Sequence, residues 1–278
     1  MRILVTGAGG GIGRAFLERA SSGHEVVPLT HRDLPVEDAG AVSARVRDER
    51  PDLVLHLAAK TSVDACEEDP DAARLVNARG TGNVARAAKE AGSLLVALST
   101  DYVFDGEKGE PYDETDAPNP VNAYGRSKVE AERAVEDAGG AYIIVRTSWV
   151  FGSEGEFVRR SVDRLAAGRE AGAIVDQVGT PTPVGHLAER LLPVVEAGLR
   201  GVVHLAGAEP TTWFDVLIRA KALGNLPGQV IEREADELGR PARRPRNSAL
   251  TSRILSRTAV PPFPPLDEGI REVVADVR

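Results

Sequence analysis

Short, continuous runs of apolar residues recur along the first half of the chain, separated by segments with helical spacing. The runs are Ile3–Thr6, Glu25–Leu29, Leu53–Leu57, Leu94–Leu98 and Tyr142–Val145. Continuous rather than alternating apolarity predicts strands buried on both faces, as in a parallel sheet covered by helices. Residues 74–90 are Ala-rich, and from Val84 the apolar positions follow the i, i+3, i+4, i+7 spacing of a helix. This alternation predicts an α/β fold with a Rossmann-type, doubly wound parallel sheet.

The alternation weakens after about residue 150. The spacing predicts a helix over Phe157–Ala167, an amphipathic helix from Pro183 to Val195 and one further strand at Val202–Leu205. The sequence from Gly207 onward is irregular and rich in Pro and Arg. We expect this tail to form a smaller C-terminal region that covers the sheet.

Composition and charge exclude several classes of protein. The chain has 278 residues, of which 42% are apolar and 27% charged, as in globular proteins. The net charge of −8 argues against nucleic acid or an anionic membrane surface as a partner. No apolar run approaches the roughly 20 residues of a membrane span, and no secretory signal follows Met1. We therefore expect a cytoplasmic protein.

Cysteine and histidine offer no metal site by their spacing. The single cysteine, Cys66, excludes an internal disulfide and a multi-cysteine site. The five histidines lack a ligand spacing such as H-E-x-x-H, so no metal ligand is predicted. His56 and His204 lie within apolar runs, and we expect both to be hydrogen-bonded core residues.

A glycine-rich turn lies between the first predicted strand and the first helix. Gly7, Gly10 and Gly13 have the G-x-x-G-x-x-G spacing, with Gly11 and Ile12 between them. Such a turn lets a pyrophosphate approach the backbone, and the following helix N-terminus supplies N–H donors. The context predicts a dinucleotide-binding domain over residues 1–150 and about 183–206. Residues 151–182 and 207–278 are then the expected substrate-binding region.

The second strand ends near Leu29, where an acidic residue would bind the ribose of NAD. Here the sequence is Thr30-His31-Arg32 instead. Two potentially cationic side chains at this point favour a 2′-phosphate. We therefore predict NADPH as the cofactor, with NADH as the alternative.

A tyrosine and a lysine lie four residues apart at Tyr124 and Lys128, on one face of a predicted helix. A nearby ammonium favours the phenolate, so we expect Lys128 to lower the tyrosine pKa toward neutrality. Tyr124 then donates a proton to an alkoxide while hydride reaches the carbonyl carbon, and Lys128 holds the nicotinamide ribose. Thr100 follows the strand at residues 94–98, where its hydroxyl is placed to polarise that carbonyl.

Three further segments indicate a particular protein family more specifically than these motifs do. They are Ser99–Gly106 (STDYVFDG), Arg146–Gly152 (RTSWVFG) and Asp176–Thr182 (DQVGTPT). Together with the glycine turn and the tyrosine–lysine pair they resemble extended short-chain dehydrogenases/reductases, and more closely dTDP-4-dehydrorhamnose reductases. The resemblance covers nearly the whole chain.

The resemblance implies a role for each matching residue. Tyr124 would be the proton donor, Lys128 the ribose-binding lysine and Thr100 the carbonyl-binding threonine. The implied substrate contacts are Val63, Thr100, Asp101, Tyr102 and Trp149. The implied cofactor contacts include Gly10, Gly11, Ile12, Thr30, Ala58, Ala59, Lys60 and Thr61. Arg240–Arg246 is a candidate to neutralise the substrate diphosphate.

The sequence departs from the family pattern mainly at the adenosine end. Gly11 stands where relatives usually have Gln, Thr30 where many have an acidic residue, and Pro35 where an aspartate is common. Glu156 replaces an asparagine, and no tryptophan lies near Phe263. Adenosine recognition and the exact sugar nucleotide are therefore the parts that the resemblance predicts least.

The leading hypothesis is an NADPH-dependent reductase of a 4-keto-6-deoxy sugar nucleotide, converting dTDP-4-dehydrorhamnose to dTDP-L-rhamnose. The first alternative is a non-catalytic nucleotide-binding subunit resembling the regulatory β subunit of methionine adenosyltransferase. The second is a sugar-nucleotide epimerase or dehydratase, which recycles its nicotinamide. Some relatives form a homodimer bridged by Mg²⁺ on carboxylates; the sequence identifies no such site and leaves both the dimer and Mg²⁺ open.

Overall fold

The computed structural model describes residues 1–20 and 23–276, with a six-stranded parallel sheet at its centre. The strands of the described residues are β1 (Arg2–Thr6), β2 (Glu25–Leu29), β3 (Leu53–His56), β4 (Leu94–Thr100), β5 (Tyr142–Thr147), β6 (Val150–Phe151), β7 (Ala171–Ile174), β8 (Thr182–Pro183), β9 (Gly201–His204) and β10 (Val230–Arg233). The α-helices are α1 (Gly11–Ala20), α2 (Ala39–Glu49), α3 (Val63–Glu68), α4 (Pro70–Ala73), α5 (Thr81–Ala91), α6 (Ala123–Ala138), α7 (Phe157–Ala166), α8 (Val184–Glu196), α9 (Trp213–Gly224) and α10 (Leu266–Ala275). A π-helix (Arg74–Gly80) precedes α5, and short 3₁₀-helices lie at Asp101–Val103, Ala235–Leu238 and Leu255–Arg257.

The central sheet has the order β2-β1-β3-β4-β5-β9, and every neighbouring pair is parallel. The chain adds β2 on one side of β1 and then crosses back to place β3 on the other side. In open parallel sheets a ligand binds beyond the carboxyl ends of the strands at such a reversal. The topology therefore places a binding cleft above β1 and β3, and the α/β fold is confirmed.

Each face of the sheet carries its own hydrophobic core. One core includes Phe16, Leu187 and Leu191 from α1 and α8. The other includes Val46, Val84 and Val135 from α2, α5 and α6. Because helices cover both faces, strand residues such as Ile3 and Val54 are wholly buried, which explains their continuous apolarity.

A smaller region packs beside the sheet around a third core. There β7 pairs in parallel with β10, and α7, α9 and α10 enclose Val162, Leu217 and Ile270. The prediction of an irregular tail after Gly207 is wrong in part, because α9 and α10 are regular helices built on long-range apolar contacts. Among the described helices, none has the length and apolarity that a membrane span requires.

The predicted helix over residues 74–90 is divided into the π-helix and α5. The wholly buried Asn77 lies within the π-helix, where its side chain accepts from the backbone N–H of Lys60 (2.7 Å) and donates to its carbonyl (3.0 Å). π-Helical turns are rare and frequently occur at functional sites. Here the turn fixes the loop after β3 against α6, since Asn77 also donates to Ser127 (2.9 Å).

Candidate active site

A cleft of about 830 Å³ opens at the carboxyl edge of the sheet, above the reversal between β1 and β3. It brings together these residues predicted from the sequence: Gly7, Gly10, Gly11, Ile12, Gly13, Thr30, His31, Ala58, Ala59, Lys60, Thr61, Val63, Thr100, Asp101, Tyr102, Tyr124, Lys128 and Trp149. Two predictions differ from this lining: Arg32 does not line the cleft and has an exposed side chain, and no residue of the candidate diphosphate-binding segment Arg240–Arg246 lines it. One cavity thus contains the other predicted cofactor and substrate residues together.

The glycine turn is shaped by two close backbone approaches. Gly7 has φ +70°, and a Cβ there would lie 2.6 Å from the backbone nitrogen of Ala58. A Cβ on Gly13 would lie 2.6 Å from the carbonyl oxygen of Gly7. Only glycine fits both positions, so the turn is tight and α1 begins with its N–H groups facing the cleft. This bare backbone suits the pyrophosphate of a dinucleotide.

The sequence predicts that His31 and Arg32 both face the end of the cleft that would hold the adenosine, and the structure differs from this prediction. Of the predicted pair His31 and Arg32, His31 lines the cleft, with its Nε2 3.6 Å from Oε1 of Glu37. Thr30 is held by Asp33, whose carboxylate accepts from its backbone N–H (2.9 Å) and its hydroxyl (2.6 Å). Of the two predicted side chains, the one facing this end is therefore His31, beside the carboxylate of Glu37.

Helix α6 carries Tyr124 and Lys128 into the cleft one turn apart. Asn122 caps the helix by accepting from the N–H of Gly125 (2.8 Å), which places Tyr124 in the first turn. A Cβ on Gly125 would lie 2.1 Å from the carbonyl oxygen of Tyr102, so glycine lets α6 approach the end of β4. Lys128 is buried and donates to the carbonyl of Leu98 (2.7 Å), which fixes its ammonium beneath the cleft.

The pKa of Tyr124 shifts in the direction opposite to the one predicted from the sequence. Burial lowers the pKa of the Lys128 ammonium to about 8, and the carboxylate of Glu132 opposes the shift. Burial raises the pKa of the half-buried Tyr124 phenol, while a hydrogen bond with Thr100 lowers it in part. The prediction of a lowered tyrosine pKa is wrong, because desolvation outweighs the hydrogen bond from Thr100. The phenol is therefore protonated at neutral pH, the form a proton donor requires.

Asp101 is buried directly beside Thr100. Its carboxylate accepts from the hydroxyls of Thr100 (3.0 Å), Ser148 (3.0 Å) and Ser248 (2.5 Å). Burial raises the pKa of Asp101 to about 6, and these hydroxyls oppose the shift. The network joins the ends of β4 and β5 to the C-terminal region and orients Thr100, whose Oγ1 also accepts from the N–H of Tyr102 (3.2 Å).

A buried ion pair supports the edge of the sheet beneath the cleft. Arg146 on β5 donates from Nε (2.9 Å) and Nη2 (2.7 Å) to the carboxylate of Glu132 on α6. Ser99 donates to the same carboxylate, and His204 lies 3.4 Å from Nη1 of Arg146. Since Glu132 is one turn beyond Lys128, the pair locks α6 onto the sheet where the lysine emerges.

An aromatic wall closes the other end of the cleft. Trp149 has φ +46° and stacks on Trp213 with ring centroids 4.5 Å apart and planes 13° apart. Phe157 meets Trp213 edge-on at 5.5 Å. A Cβ on Gly179 would lie 2.2 Å from the Trp149 ring, so the indole needs glycine beneath it. Flat, apolar surfaces of this kind suit a pyrimidine or the face of a hexose.

Several residues lining the cleft were not predicted from the sequence. They are Gly9, Leu34, Val36, Glu37, Leu57, Val76, Leu98, Thr147, Val150, Ser153 and Trp213. Trp213 is the first residue of α9 and follows the helix cap Thr212. In the sequence, this position indicates the start of a helix and does not predict a binding role. Ser153 and Glu37 reach the cleft through loops, whose positions no periodic pattern predicts.

The arginine-rich segment is partly neutralised within the protein. Arg244 forms two contacts with the carboxylate of Asp64, at 2.5 and 2.7 Å, and this pairing lowers the pKa of Asp64. Arg244 therefore contributes little net charge toward a diphosphate.

The histidine predictions can be compared directly with the structure. His56 contacts Thr6 (2.7 Å) and Thr81 (2.9 Å), and burial lowers its pKa to about 3, so it is a neutral core residue as predicted. His204 contacts two backbone carbonyls and is likewise buried. Within residues 1–20 and 23–276, no group of three or more His, Cys, Asp or Glu side chains is arranged to hold a metal ion.

The fold and cleft define an oxidoreductase of the Rossmann-type, extended short-chain dehydrogenase/reductase class. The chain belongs to the family described as the RmlD substrate binding domain, whose model matches residues 1–278. It is 38% identical to a dTDP-4-dehydrorhamnose reductase of Mycolicibacterium smegmatis, with 99% of this chain and 86% of that protein covered. It is 39% identical to a dTDP-4-keto-6-deoxy-D-glucose reductase of Streptomyces niveus, covering 90% and 88%.

A solved structure extends the comparison to a bound cofactor. The crystal structure of dTDP-4-dehydrorhamnose reductase from Bacillus anthracis in complex with NADP matches with a TM-score of 0.94. The two chains are 32% identical, and the match covers 99% of each. The resemblance inferred from the sequence motifs is thereby confirmed.

Proposed function

We propose that this protein is an NADPH-dependent reductase of a dTDP-4-keto-6-deoxy sugar that converts dTDP-4-dehydrorhamnose to dTDP-L-rhamnose. The observation that carries the proposal is the convergence of Thr100, Tyr124 and Lys128 on one cleft that also contains the glycine turn. The relatives named for this reaction, and the related structure with NADP, support it.

The residues of the cleft fit the cofactor by shape and by charge. Gly7, Gly10 and the N-terminus of α1 would hold its diphosphate, and Lys128 its nicotinamide ribose. When bound, the reduced nicotinamide supplies the hydride that reaches the carbonyl carbon. A 2′-phosphate would meet His31 rather than Arg32, since His31 is the one of these two side chains that lines the cleft.

Proton delivery follows from the geometry around Tyr124. When substrate binds, the Thr100 hydroxyl turns from the Asp101 carboxylate, to which it donates in this structure. It then donates its one hydrogen bond to the keto oxygen, which polarises the carbonyl for reduction. Tyr124 then gives its proton to the oxygen as negative charge develops there, which its raised pKa favours over acting as a base. Lys128, a donor to Leu98 already, has further N–H bonds to stabilise the resulting phenolate.

The aromatic wall and the loop after β3 are proposed to bind the sugar nucleotide. Trp149 and Trp213 offer apolar faces, while Val63 and Tyr102 border the space above Thr100. We propose the division predicted from the sequence: residues 1–150 and 183–206 hold the cofactor, and residues 151–182 and 207–278 close over the substrate. The cytoplasmic location stays a prediction, and the homodimer and Mg²⁺ stay open.

Mixing the purified protein with NADPH and dTDP-4-dehydrorhamnose tests the proposal. We expect absorbance at 340 nm to fall, with one NADPH consumed per sugar reduced, and dTDP-L-rhamnose to be identified by NMR. A parallel arm with dTDP-4-keto-6-deoxy-D-glucose determines which sugar is preferred. Binding of NADPH without turnover would instead indicate the regulatory subunit, and sugar conversion without net consumption an epimerase or dehydratase.

A further inference from the structure

A carboxylate lies in the adenosine end of the cleft without a hydrogen-bond partner on one of its oxygens. Glu37 lines the cleft beside Leu34, Val36 and Val76. Its Oε2 is buried and accepts no hydrogen bond, whereas its Oε1 faces Nε2 of His31 at 3.6 Å, beyond hydrogen-bond distance. Leaving a buried acceptor unpaired is costly, so a donor from a ligand is expected at this point.

The backbone that carries Glu37 is rigidly held. Asn83 on α5 donates from Nδ2 to the carbonyls of Val36 (3.0 Å) and Glu37 (3.3 Å). Gly80 lies so close to Val36 that a Cβ on the glycine would be 2.7 Å from its Cγ2. The backbone position of Glu37, at the edge of the cleft, is therefore built into the fold.

The other carboxylates of this segment are already engaged. Asp33 accepts from Thr30, and Asp38 caps α2 by accepting from the N–H of Ala41 (3.0 Å). Pro35, which stands where relatives commonly have an aspartate, provides no acceptor on its side chain. Within the segment, Glu37 is the carboxylate that lines the cleft.

The surroundings of Glu37 resemble a pocket for a flat base. Leu34 and Val36 are 4% and 3% exposed, and they share one apolar cluster with Ala58 and Val76. Thr30, in contrast, lies near the glycine turn, with its Cγ2 3.6 Å from the position of a Cβ on Gly9. Apolar side chains with a carboxylate at their edge suit a purine that bears an amino group.

We propose that Glu37 selects the adenine base of the dinucleotide by accepting a hydrogen bond from its exocyclic 6-amino group. The inference rests on the proposed function, since it assigns a residue to the cofactor of that reaction. A carboxylate is an acceptor only, so it pairs with the amino donor of adenine. Hypoxanthine presents a carbonyl oxygen at the same position, which repels the carboxylate. Glu37 therefore discriminates between 6-amino and 6-oxo purines.

Equilibrium binding of two dinucleotides tests this selectivity without any turnover. Dissociation constants for NADPH and for its deaminated analogue, nicotinamide hypoxanthine dinucleotide phosphate, are measured by calorimetry on the wild-type protein, Glu37→Ala and Glu37→Gln. We expect wild type to prefer NADPH by about tenfold or more, as for a hydrogen bond to a charged group. Glu37→Ala reduces the preference to about twofold or less. Glu37→Gln, which is nearly isosteric and offers an N–H donor, improves binding of the hypoxanthine analogue.

Asp48→Asn serves as the matched control, because it removes one negative charge from an exposed position on α2. We expect both dissociation constants to stay within about twofold of wild type. Equal wild-type affinities for the two dinucleotides, or an unchanged ratio in Glu37→Ala, would overturn the inference. NADH is titrated as a third ligand, and a Glu37→Gln effect confined to the ratio of NADPH to NADH would also overturn the inference, because it would assign the carboxylate to the ribose.

The two proposals fail in different ways in these experiments. If the protein discriminates between the dinucleotides but does not consume NADPH with a keto sugar, the role of Glu37 stands and the proposed reductase function is overturned. If the protein reduces the sugar but binds both dinucleotides equally, the proposed reductase function stands and the role of Glu37 is overturned.

Discussion

The indole rings of Trp149 and Trp213 stack almost parallel, 4.5 Å apart, although 64 positions separate them along the chain (213 − 149). Trp149 follows β5 in the sheet region, and Trp213 begins α9 in the smaller region. Both line the cleft, so the stack couples the two regions at the end we assign to the sugar nucleotide.

Trp213→Leu is expected to weaken sugar-nucleotide binding and to spare the cofactor. Losing the stack frees the Trp149 ring, whose aromatic pairing contributes about 0.5–1.5 kcal/mol beyond buried area. We therefore expect KM for the sugar nucleotide to rise about 3–10-fold, by the free-energy relation for affinity. Steady-state kinetics and NADPH titration measure the two effects. Phe157→Leu, which removes an aromatic neighbour of Trp213 outside the cleft, should have the smaller effect on KM.

Tyr124→Phe is expected to remove most turnover without loss of NADPH affinity. General acid catalysis contributes about 10²–10⁴-fold, so kcat should fall by that range. The phenyl ring preserves the edge-on contact with Tyr102, whose ring centroid lies 6.1 Å away, and so the fold of the site. Absorbance at 340 nm reports turnover, and fluorescence titration reports NADPH binding. An unimpaired variant would exclude Tyr124 as the proton donor.

Asp101 makes stability depend on pH in a predictable direction. Its pKa is raised to about 6 in the folded state from an ordinary value of 3.8, so the folded protein holds the extra proton between those values. Wild-type stability therefore falls as pH rises through this window. Relative to Asp101→Asn, we expect wild type to lose about 2 kcal/mol of unfolding free energy between pH 4.5 and 7.5. Urea unfolding at the two pH values measures it; a difference that is independent of pH would contradict the prediction.

Two glutamates on α6 offer a matched test of buried and exposed ion pairs. Glu132→Gln leaves the buried Arg146 without its carboxylate, which should cost about 3–5 kcal/mol. Glu130→Gln breaks the exposed pair with Arg74 and should cost less than about 1 kcal/mol. Urea unfolding of both variants measures the costs. Equal losses would show that the buried pair does not stabilise the edge of the sheet.

Gly11 and Ser153 are distant in the sequence but close in the structure, so we expect substitutions at the two positions to be coupled. A Cβ on Gly11 would lie 2.7 Å from both Cβ and Oγ of Ser153. Gly11→Ala should therefore displace the Ser153 loop and weaken NADPH binding. Because overpacking costs about 1–3 kcal/mol, we expect affinity to fall about 5–150-fold. Ser153→Gly should restore most of that affinity in the double variant. Calorimetry on the two single variants and the double variant completes the cycle, and strictly additive effects would contradict the contact.

Local sequence patterns predicted much of the fold and part of the site. The strand predicted at Glu25–Leu29 has those bounds in the structure, and Tyr124 and Lys128 lie one turn apart on α6. The strand and the tyrosine–lysine spacing each depend on residues within a few positions of one another, so the local sequence pattern predicts them. The predicted helix over residues 74–90 was wrong at its start, because the side chain of Asn77 pairs with a loop 17 positions away and shapes a π-helix.

The sequence alone determined the alternation of strands and helices in the first half of the chain, the glycine turn and the tyrosine–lysine helix, since short-range sterics and periodic burial specify them. Only the tertiary structure decided that Glu37, Ser153 and Trp213 border the cleft and that Asp64 neutralises Arg244. It also decided that the pKa of Tyr124 rises rather than falls. Desolvation and charge pairing depend on which distant segments pack together, and no local spacing along the chain records that packing.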